Sequence, residues 1–318
     1  MSILIYAENW EGKLRKNIFE AASYAKKLGN TEDSEIIAVS HGDIEENELK
    51  LLAEYGVNKI LSGPSIQKAD TAIITSFLEK IINEYNISFC VFADSYSSKM
   101  ISSRLAVKIN AALINNIVEL PLTQSPLKVK RKTFSGKSFE IRQANKDRAI
   151  LIIAQNAFGV HKNPVDFKIE KYNYETSTNT ISVIKTEKSS GKVNLSEAEI
   201  IVSAGRGLKG PENWNMVEDL ANALNAATAC SKPVSDSGWR PHSEHVGQTG
   251  KTVAPNLYIA IGISGAIQHL AGVNSSKTMV VINTDAEAPF FKAADYGIVG
   301  DAFEVVPKLT EAIKQFKL

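Results

Sequence analysis

The feature that most restricts the fold is a rhythm in the first third of the chain. Short apolar runs at residues 3–7 (ILIYA), 35–39, 59–61 and 87–93 (ISFCVFA) read as strands. Between and after them lie helical stretches at 13–28, 44–55, 69–85 and 95–109, the third of them amphipathic. In the first of these, Leu14, Ile18, Ala21, Ala22, Ala25 and Leu28 fall on one helical face, and Gly29-Asn30 ends it. Strands that alternate with helices must be joined by crossovers. That demands a parallel sheet covered by helices.

The rhythm then breaks. Residues 113–120, 128–133, 138–143 and 149–154 read as strands separated by Pro121, Pro126 and Ser135-Gly136, which predicts an antiparallel extension of the sheet. Residues 172–192 are polar, and 186–192 read as a linker. A second α/β unit begins near Glu199, with strands at 200–204, 257–263, 278–283 and 296–299 and helices at 213–224, 264–271 and 304–316. The expected organisation is α/β throughout: a parallel-sheet domain with a strand-rich extension at 1–188, and a Rossmann-like domain at 189–318.

Lys and Arg total 36 against 35 Asp and Glu, a formal charge of +1. That balance argues against nucleic acid or an acidic membrane as the main partner. No apolar run approaches the ~18 residues of a membrane span. The opening MSILIYAENWEGKL carries no signal or transit pattern, so a cytoplasmic protein without membrane insertion is expected. Cys90 and Cys230 are far apart, with no CxxC; Cys90, inside an apolar strand, reads as inert core.

Several stretches carry chemistry. In YIAIGISGAIQHLAG (258–272) a buried strand breaks at Gly-Ile-Ser-Gly and turns helical. The first backbone N–H groups of a helix are unpaired and its dipole is positive there, so an electron-rich oxygen or phosphate is favoured. Gly262 and Gly265 would let a ligand approach the backbone, and Ser264 would cap the helix or donate. An ordinary capped helix fits the same residues. There is no GxGxxG fingerprint. His269, one turn in, reads by itself as a structural histidine.

In IIVSAGRGLKG (200–210), Arg206 sits between glycines just after a strand, placed to fork onto a phosphate. The loop at 230–255 is dense in Gly, Pro, Ser and Thr, and contains Trp239. Its GQTGK resembles the tail of a P-loop but lacks the leading glycine and precedes a strand. His242, Glu244 and His245 lack metal-ligand spacing. In residues 282–301, Asn283, Asp295 and Asp301 fit turn capping or acceptance from a ribose or adenine edge. Ser95, Ser97 and Ser98 open a helix after a strand, and read as capping in preference to a nucleotide site.

Taken in order, GRGLKGPENW, DSGWRP, VGQTGKTVAPNLYIAIGISGAIQHLAG, INTDAEAP and ADYGIVGD resemble the FAD-binding domain of the alpha subunit of electron transfer flavoprotein. The resemblance covers nearly all of the chain after about residue 198, and extends as a pattern through the first half. It implies one FAD and a heterodimer with a beta subunit, contacted mainly by the N-terminal domain. It implies a carrier without substrate turnover of its own. Such a carrier accepts electrons from flavin dehydrogenases, such as the acyl-CoA dehydrogenases of fatty acid oxidation. It passes them to a membrane quinone oxidoreductase through an anionic semiquinone. An electron-bifurcating, NADH-linked relative is the alternative.

The resemblance also implies site residues. Arg206 and Ser231 would contact FAD. Val246, Gly247, Gln248 and Thr249 would line the isoalloxazine, with the Thr249 hydroxyl near N5. Ser264, Gly265, Ala266, Ile267, Gln268 and His269 would surround the ribityl-pyrophosphate, with His269 near O2. Asn283, Asp301 and Ala302 would meet the AMP half. Lys232 stands where the family commonly has an arginine stacked over the flavin; it keeps the charge and loses the planar fork. Ala204 replaces a common glycine.

Overall fold

A computed structural model describes residues 1–29, 34–67, 70–175, 181, 183–185, 195 and 198–316. The chain divides into two compact units, Met1–Glu187 and Lys188–Leu318. The expected linker at 186–192 lies outside the described residues.

The first unit is built on a ten-stranded sheet. From one edge its main path runs Ser138–Gln143, Leu127–Thr133, Ala112–Ile117, Ala149–Ile153, Phe89–Ala93, Ser2–Tyr6, Glu35–Ser40, Lys59–Ser62 and Lys168–Lys171. Alternation along Ser2–Tyr6 feeds two cores. Ile3 and Ile5 pack with Ile18, Ala21 and Ala25 of the helix Lys16–Gly29. Leu4 and Tyr6 pack with Ile74, Phe77 and Ile81 of Thr71–Glu84 and with Ile101 and Leu105 of Tyr96–Lys108. A sheet buried on both faces is what crossover helices require.

The expected antiparallel extension is smaller than four strands. Leu127–Thr133 and Ser138–Gln143 do pair antiparallel. Ala149–Ile153 instead inserts between Phe89–Ala93 and Ala112–Ile117, parallel to both. All five of its residues, AILII, are buried, and a continuous apolar run is the mark of a parallel strand covered on both sides. The edge strand Lys168–Lys171, too polar to stand out, pairs with Lys59–Ser62. The stretch at 44–55 is a short α-helix, Glu46–Lys50, continued as a 3₁₀ turn over Leu51–Tyr55.

Ser95 caps Tyr96–Lys108: its Oγ accepts from Ser98 N at 3.0 Å. The same hydroxyl donates to Glu8 Oε2 at 2.7 Å, and Glu8 pairs with Arg15 at 3.5 Å. A carboxylate at this helix start already serves the positive end of the dipole, and it repels a phosphate.

The second unit has a five-stranded, all-parallel sheet in the order Ala227–Cys230, Ile200–Ala204, Leu257–Ile261, Thr278–Asn283 and Tyr296–Val299. Asn215–Leu224 and Ala302–Phe316 cover one face through Val217, Leu220 and Val306. Val273 of Ile267–Val273 and Phe290 cover the other. Ala227–Cys230 was not foreseen, because four small residues leading into a polar loop carry no strand pattern.

Candidate functional site

In an open parallel sheet, ligands bind beyond the carboxyl ends of the strands, at the point where strand order reverses. Here the first strand of the unit, Ile200–Ala204, lies between the second and the third, so the reversal falls beside Leu257–Ile261. All five strands run the same way. Each one's carboxyl end therefore opens on the same edge. Arg206 follows the first strand, Ser231 and Lys232 the second, Ser264 to His269 the third. Asn283 ends the fourth, and Asp301 and Ala302 follow the fifth. Five distant segments of sequence thus share one edge of one sheet.

Glycines hold the two central loops together. A Cβ on Gly207 would stand 2.7 Å from Gly262 Cα, and one on Gly265 would stand 2.5 Å from Phe290 N. Gly262 and Gly265 also have φ of +59° and +83°. Their missing side chains therefore make room for Gly207 and Phe290 of this chain, which corrects the expectation that they make room for a ligand. Gly207 N donates to the Gly262 carbonyl at 3.1 Å, and Phe290 N to the Ser264 carbonyl at 3.1 Å.

The helix on this edge starts later than expected, at Ile267, with Ala266 as N-cap and no side-chain cap. Ser264 is exposed and does not cap it; Ala266, Ile267 and Gln268 are also exposed. An uncapped helix start with exposed small and polar residues leaves backbone N–H groups for an outside acceptor. Arg206 and Lys232 are exposed on the same edge, and Ser231 is buried as the N-cap of Lys232–Asp236 without using its hydroxyl as a cap.

Residues Val246, Gly247, Gln248 and Thr249 form a tight loop against that helix. Val246 N donates to the Cys230 carbonyl at 3.0 Å, and Gln248 N to the Gln268 carbonyl at 2.7 Å. A Cβ on Gly272 would meet Gly247 N at 2.5 Å, so bare backbone lets helix and loop touch. Val246 is buried, while Gln248 and Thr249 are exposed. The loop's far end is anchored by Arg240, which donates to both Glu244 oxygens at 2.7 Å and lies over Trp214. His242 pairs with Ser235 Oγ at 3.0 Å. Glu244 and His242 are thus turned to partners of their own.

His269 is 6% exposed. Its Nε2 lies 3.0 Å from the Tyr258 hydroxyl. Its Nδ1 is buried and makes no hydrogen bond of full geometry among the described residues. Burial, then the neighbouring His245, push its pKa down to about 4, against a smaller upward pull from the Val246 carbonyl. His269 is therefore neutral near pH 7, and offers an N–H rather than a positive charge. Burial also lowers His245.

Asn283 and Asp301 are partly engaged within the chain. Asn283 Nδ2 donates to the Ile263 carbonyl at 3.1 Å, and Asp301 Oδ1 accepts from Phe303 N at 3.0 Å. Each keeps further hydrogen-bonding capacity. Asp295 Oδ2 accepts from Met279 N at 2.7 Å at the opposite end of the strands, which removes it from the site. Sequence reasoning missed Tyr258. The available signal was a tyrosine in an apolar strand, since a buried phenol needs a partner.

These observations stand beside comparisons with known proteins. The family model described as "Electron transfer flavoprotein FAD-binding domain" matches residues 194–274, and "Electron transfer flavoprotein domain" matches residues 3–189. The chain is 35% identical to the electron transfer flavoprotein subunit alpha of Bacillus subtilis, over 99% of this chain and 98% of that one. It is 31% identical to Protein FixB of Clostridium saccharobutylicum, over 98% and 96%. It is 33% identical to the mitochondrial alpha subunit of Dictyostelium discoideum, over 99% and 92%.

Proposed function

We propose, from the premise that this chain belongs to the electron transfer flavoprotein family as an alpha subunit, that the carboxyl edge of its second sheet is the seat of the FAD for which the family's binding domain is named. The chain carries electrons and pairs with a beta subunit. In the finer reading it works in the cytoplasm. It takes electrons from acyl-CoA and related flavin dehydrogenases, and delivers them to a quinone oxidoreductase at the membrane. No helix among the described residues is long and apolar enough to cross a membrane.

The single observation that carries this reading is the convergence of the five strand ends on one edge. The residues there fit the group. Arg206 and Lys232 supply positive charge for a diphosphate. The uncapped start of Ile267–Val273, with Ser264 and Gln268 exposed, supplies donors. Gln248 and Thr249 offer polar groups beside the helix. The buried Nδ1 of His269 has no hydrogen-bond partner among the described residues and would be offered to a carbonyl edge. When bound, FAD supplies one- and two-electron chemistry that no side chain can. The chain's part is to hold it, to exclude water through Val246 and Ile263, and to set the polarity at its edges.

The test is an absorption spectrum of the heterodimer, recorded oxidised and during stepwise anaerobic reduction. A flavin that passes through a red, anionic one-electron state supports the carrier. Direct two-electron reduction supports the bifurcating alternative. Absence of flavin refutes the reading.

A further inference from the structure

We propose that His245 is a positioning residue of the candidate site: its imidazole is the body on which the turn 247–250 closes, and it thereby sets where Gln248 and Thr249 stand on the cofactor edge. The inference deepens the flavin reading and rests on it for what those two side chains meet.

His245 is 6% exposed, and its ring spans the turn. A Cβ on Gly250 would stand 2.8 Å from both Cγ and Nδ1 of that ring, and a Cβ on Gly247 would stand 3.4 Å from its Nε2. The two glycines that bound the turn therefore present bare backbone to the two ends of one imidazole. At Gly247 the ring also reaches the helix Ile267–Val273. The same point lies 3.1 Å from the Gln268 carbonyl oxygen and 3.7 Å from His269 Cα. Loop, helix and ring thus meet in one place.

The turn cannot supply this packing itself. Its residues are Gly, Gln, Thr and Gly, and Gln248 and Thr249 are exposed, so it buries no side chain of its own. Two glycines also raise the entropy lost when the turn is ordered. Main-chain bonds close it: Gly250 N donates to the Gly247 carbonyl at 3.1 Å, Gly247 N to the Lys251 carbonyl at 3.1 Å, and Lys251 N to the His245 carbonyl at 2.9 Å. His245 therefore serves the turn twice, by its carbonyl at the base and by its ring against both glycines. A smaller side chain would leave a void that nothing in the turn can fill.

His245 is held in its turn. Its N donates to the His242 carbonyl at 3.2 Å, and the preceding residue, Glu244, is gripped by Arg240 through both carboxylate oxygens. Burial lowers the pKa of His245; Asp236 pulls it up, and Lys232 and His242 push it further down. The ring is neutral near pH 7, so it packs against bare backbone without a buried charge to solvate. A side chain fixed by its own neighbours is what a precisely placed loop requires.

The experiment is amide hydrogen exchange of the full heterodimer, read by mass spectrometry on peptides that cover 245–252, with flavin release on dilution measured on the same samples. In His245→Ala the amides of Gly247, Gln248, Gly250 and Lys251 are expected to exchange at least about tenfold faster, and flavin to leave at least about tenfold faster. His245→Gln, whose amide reaches about as far as Nε2, is expected to recover most of both. Val217→Ala, a core cut on the other face of the sheet, is expected to lower stability and leave this peptide's exchange unchanged. An unchanged peptide in His245→Ala overturns the proposal. So does a rise spread evenly over the unit, which is the mark of a merely structural histidine, and so does a His245→Gln no better than His245→Ala. Should His245→Ala not fold, His245→Asn takes its place; it keeps the contact at Gly250 and loses that at Gly247, and a smaller rise confined to the same peptide is expected. The underlying reading is reported separately: exchange as expected in a wild-type heterodimer that holds no flavin would refute the cofactor and leave the turn's dependence on His245 standing.

Discussion

Replacing Gly205 by alanine tests whether the two central loops of the second sheet are held by bare backbone. An ideal Cβ there would stand 2.3 Å from the Gly262 carbonyl oxygen and 3.0 Å from Ile263 Cγ1. The first of these is backbone and cannot swing aside. That carbonyl also accepts from Gly207 N at 3.1 Å, so relief of the clash breaks a hydrogen bond. Gly205 has φ of −116°, which any residue adopts, so the cost is contact alone. Overpacking costs ~1–3 kcal/mol, and a lost backbone hydrogen bond adds ~1, for a total of about 2–4 kcal/mol. Gly238→Ala is the control. It has φ of +73° and nothing within 4 Å of its Cβ, so it carries only a backbone cost of ~1–2 kcal/mol. Urea unfolding of the heterodimer, followed by tryptophan fluorescence, compares them; Trp214 lies in this unit's core and Trp239 packs against it. Flavin retention on dilution is the second readout. Gly205→Ala is expected to lose flavin at least about tenfold more readily, since ~1.4 kcal/mol of loop distortion at the site suffices. Gly238→Ala should retain it. A Gly205→Ala protein within about 0.5 kcal/mol of wild type, with flavin held, would refute the reasoning.

Further outcomes follow from the same geometry. Arg240→Ala leaves Glu244 buried without its bidentate partner, and should lower stability by about 2–4 kcal/mol in denaturant unfolding, with Arg240→Lys recovering less than half. His269 binds its proton near pH 4 when folded, against 6.5 ordinarily, so the unfolded chain is the better proton acceptor in between. Stability is then complete above about pH 6.5 and falls toward pH 4, by up to ~3 kcal/mol, and His269→Gln should flatten most of that slope in a pH series of thermal melts. Ser95→Ala should cost the first unit ~1 kcal/mol and leave flavin content unchanged, as measured by unfolding and absorbance. Lys232→Arg should change the flavin reduction potential without altering thermal stability by more than about 0.5 kcal/mol.

The repeating parts of the fold were legible because they rest on period. Ser2–Tyr6, Glu35–Ser40, Phe89–Ala93 and the helices Lys16–Gly29 and Thr71–Glu84 each announce a buried strand or an apolar face. Pairing partners were less legible. The run AILII reads as a strand in any sheet, and its parallel seat between Phe89–Ala93 and Ala112–Ile117 is decided by long-range burial. Lys168–Lys171 and Ala227–Cys230 escaped for opposite reasons. One is a polar edge; the other is made of residues too small to show alternation.

The site divides in the same way. Its segments were visible, since glycines, a lone arginine and a capping serine gather where strands end. The purpose of each residue inside a segment was not. Gly262 and Gly265 look alike whether they face a ligand or a neighbouring loop, and only the position of Gly207 and Phe290 decides. Ser264 looks like a cap, yet the helix begins three residues later because Gly265 at φ of +83° interrupts it. His269 reads by itself as a structural histidine and by resemblance as a neighbour of O2, and burial keeps it a neutral donor. That neutrality has a physical consequence. A buried cation would need a counter-charge at every stage of the carrier's cycle, whereas a neutral N–H is satisfied by an oxygen in any redox state and strengthens as negative charge gathers there. In the proposed site, neutrality would thus let one residue serve both the loaded and the unloaded carrier.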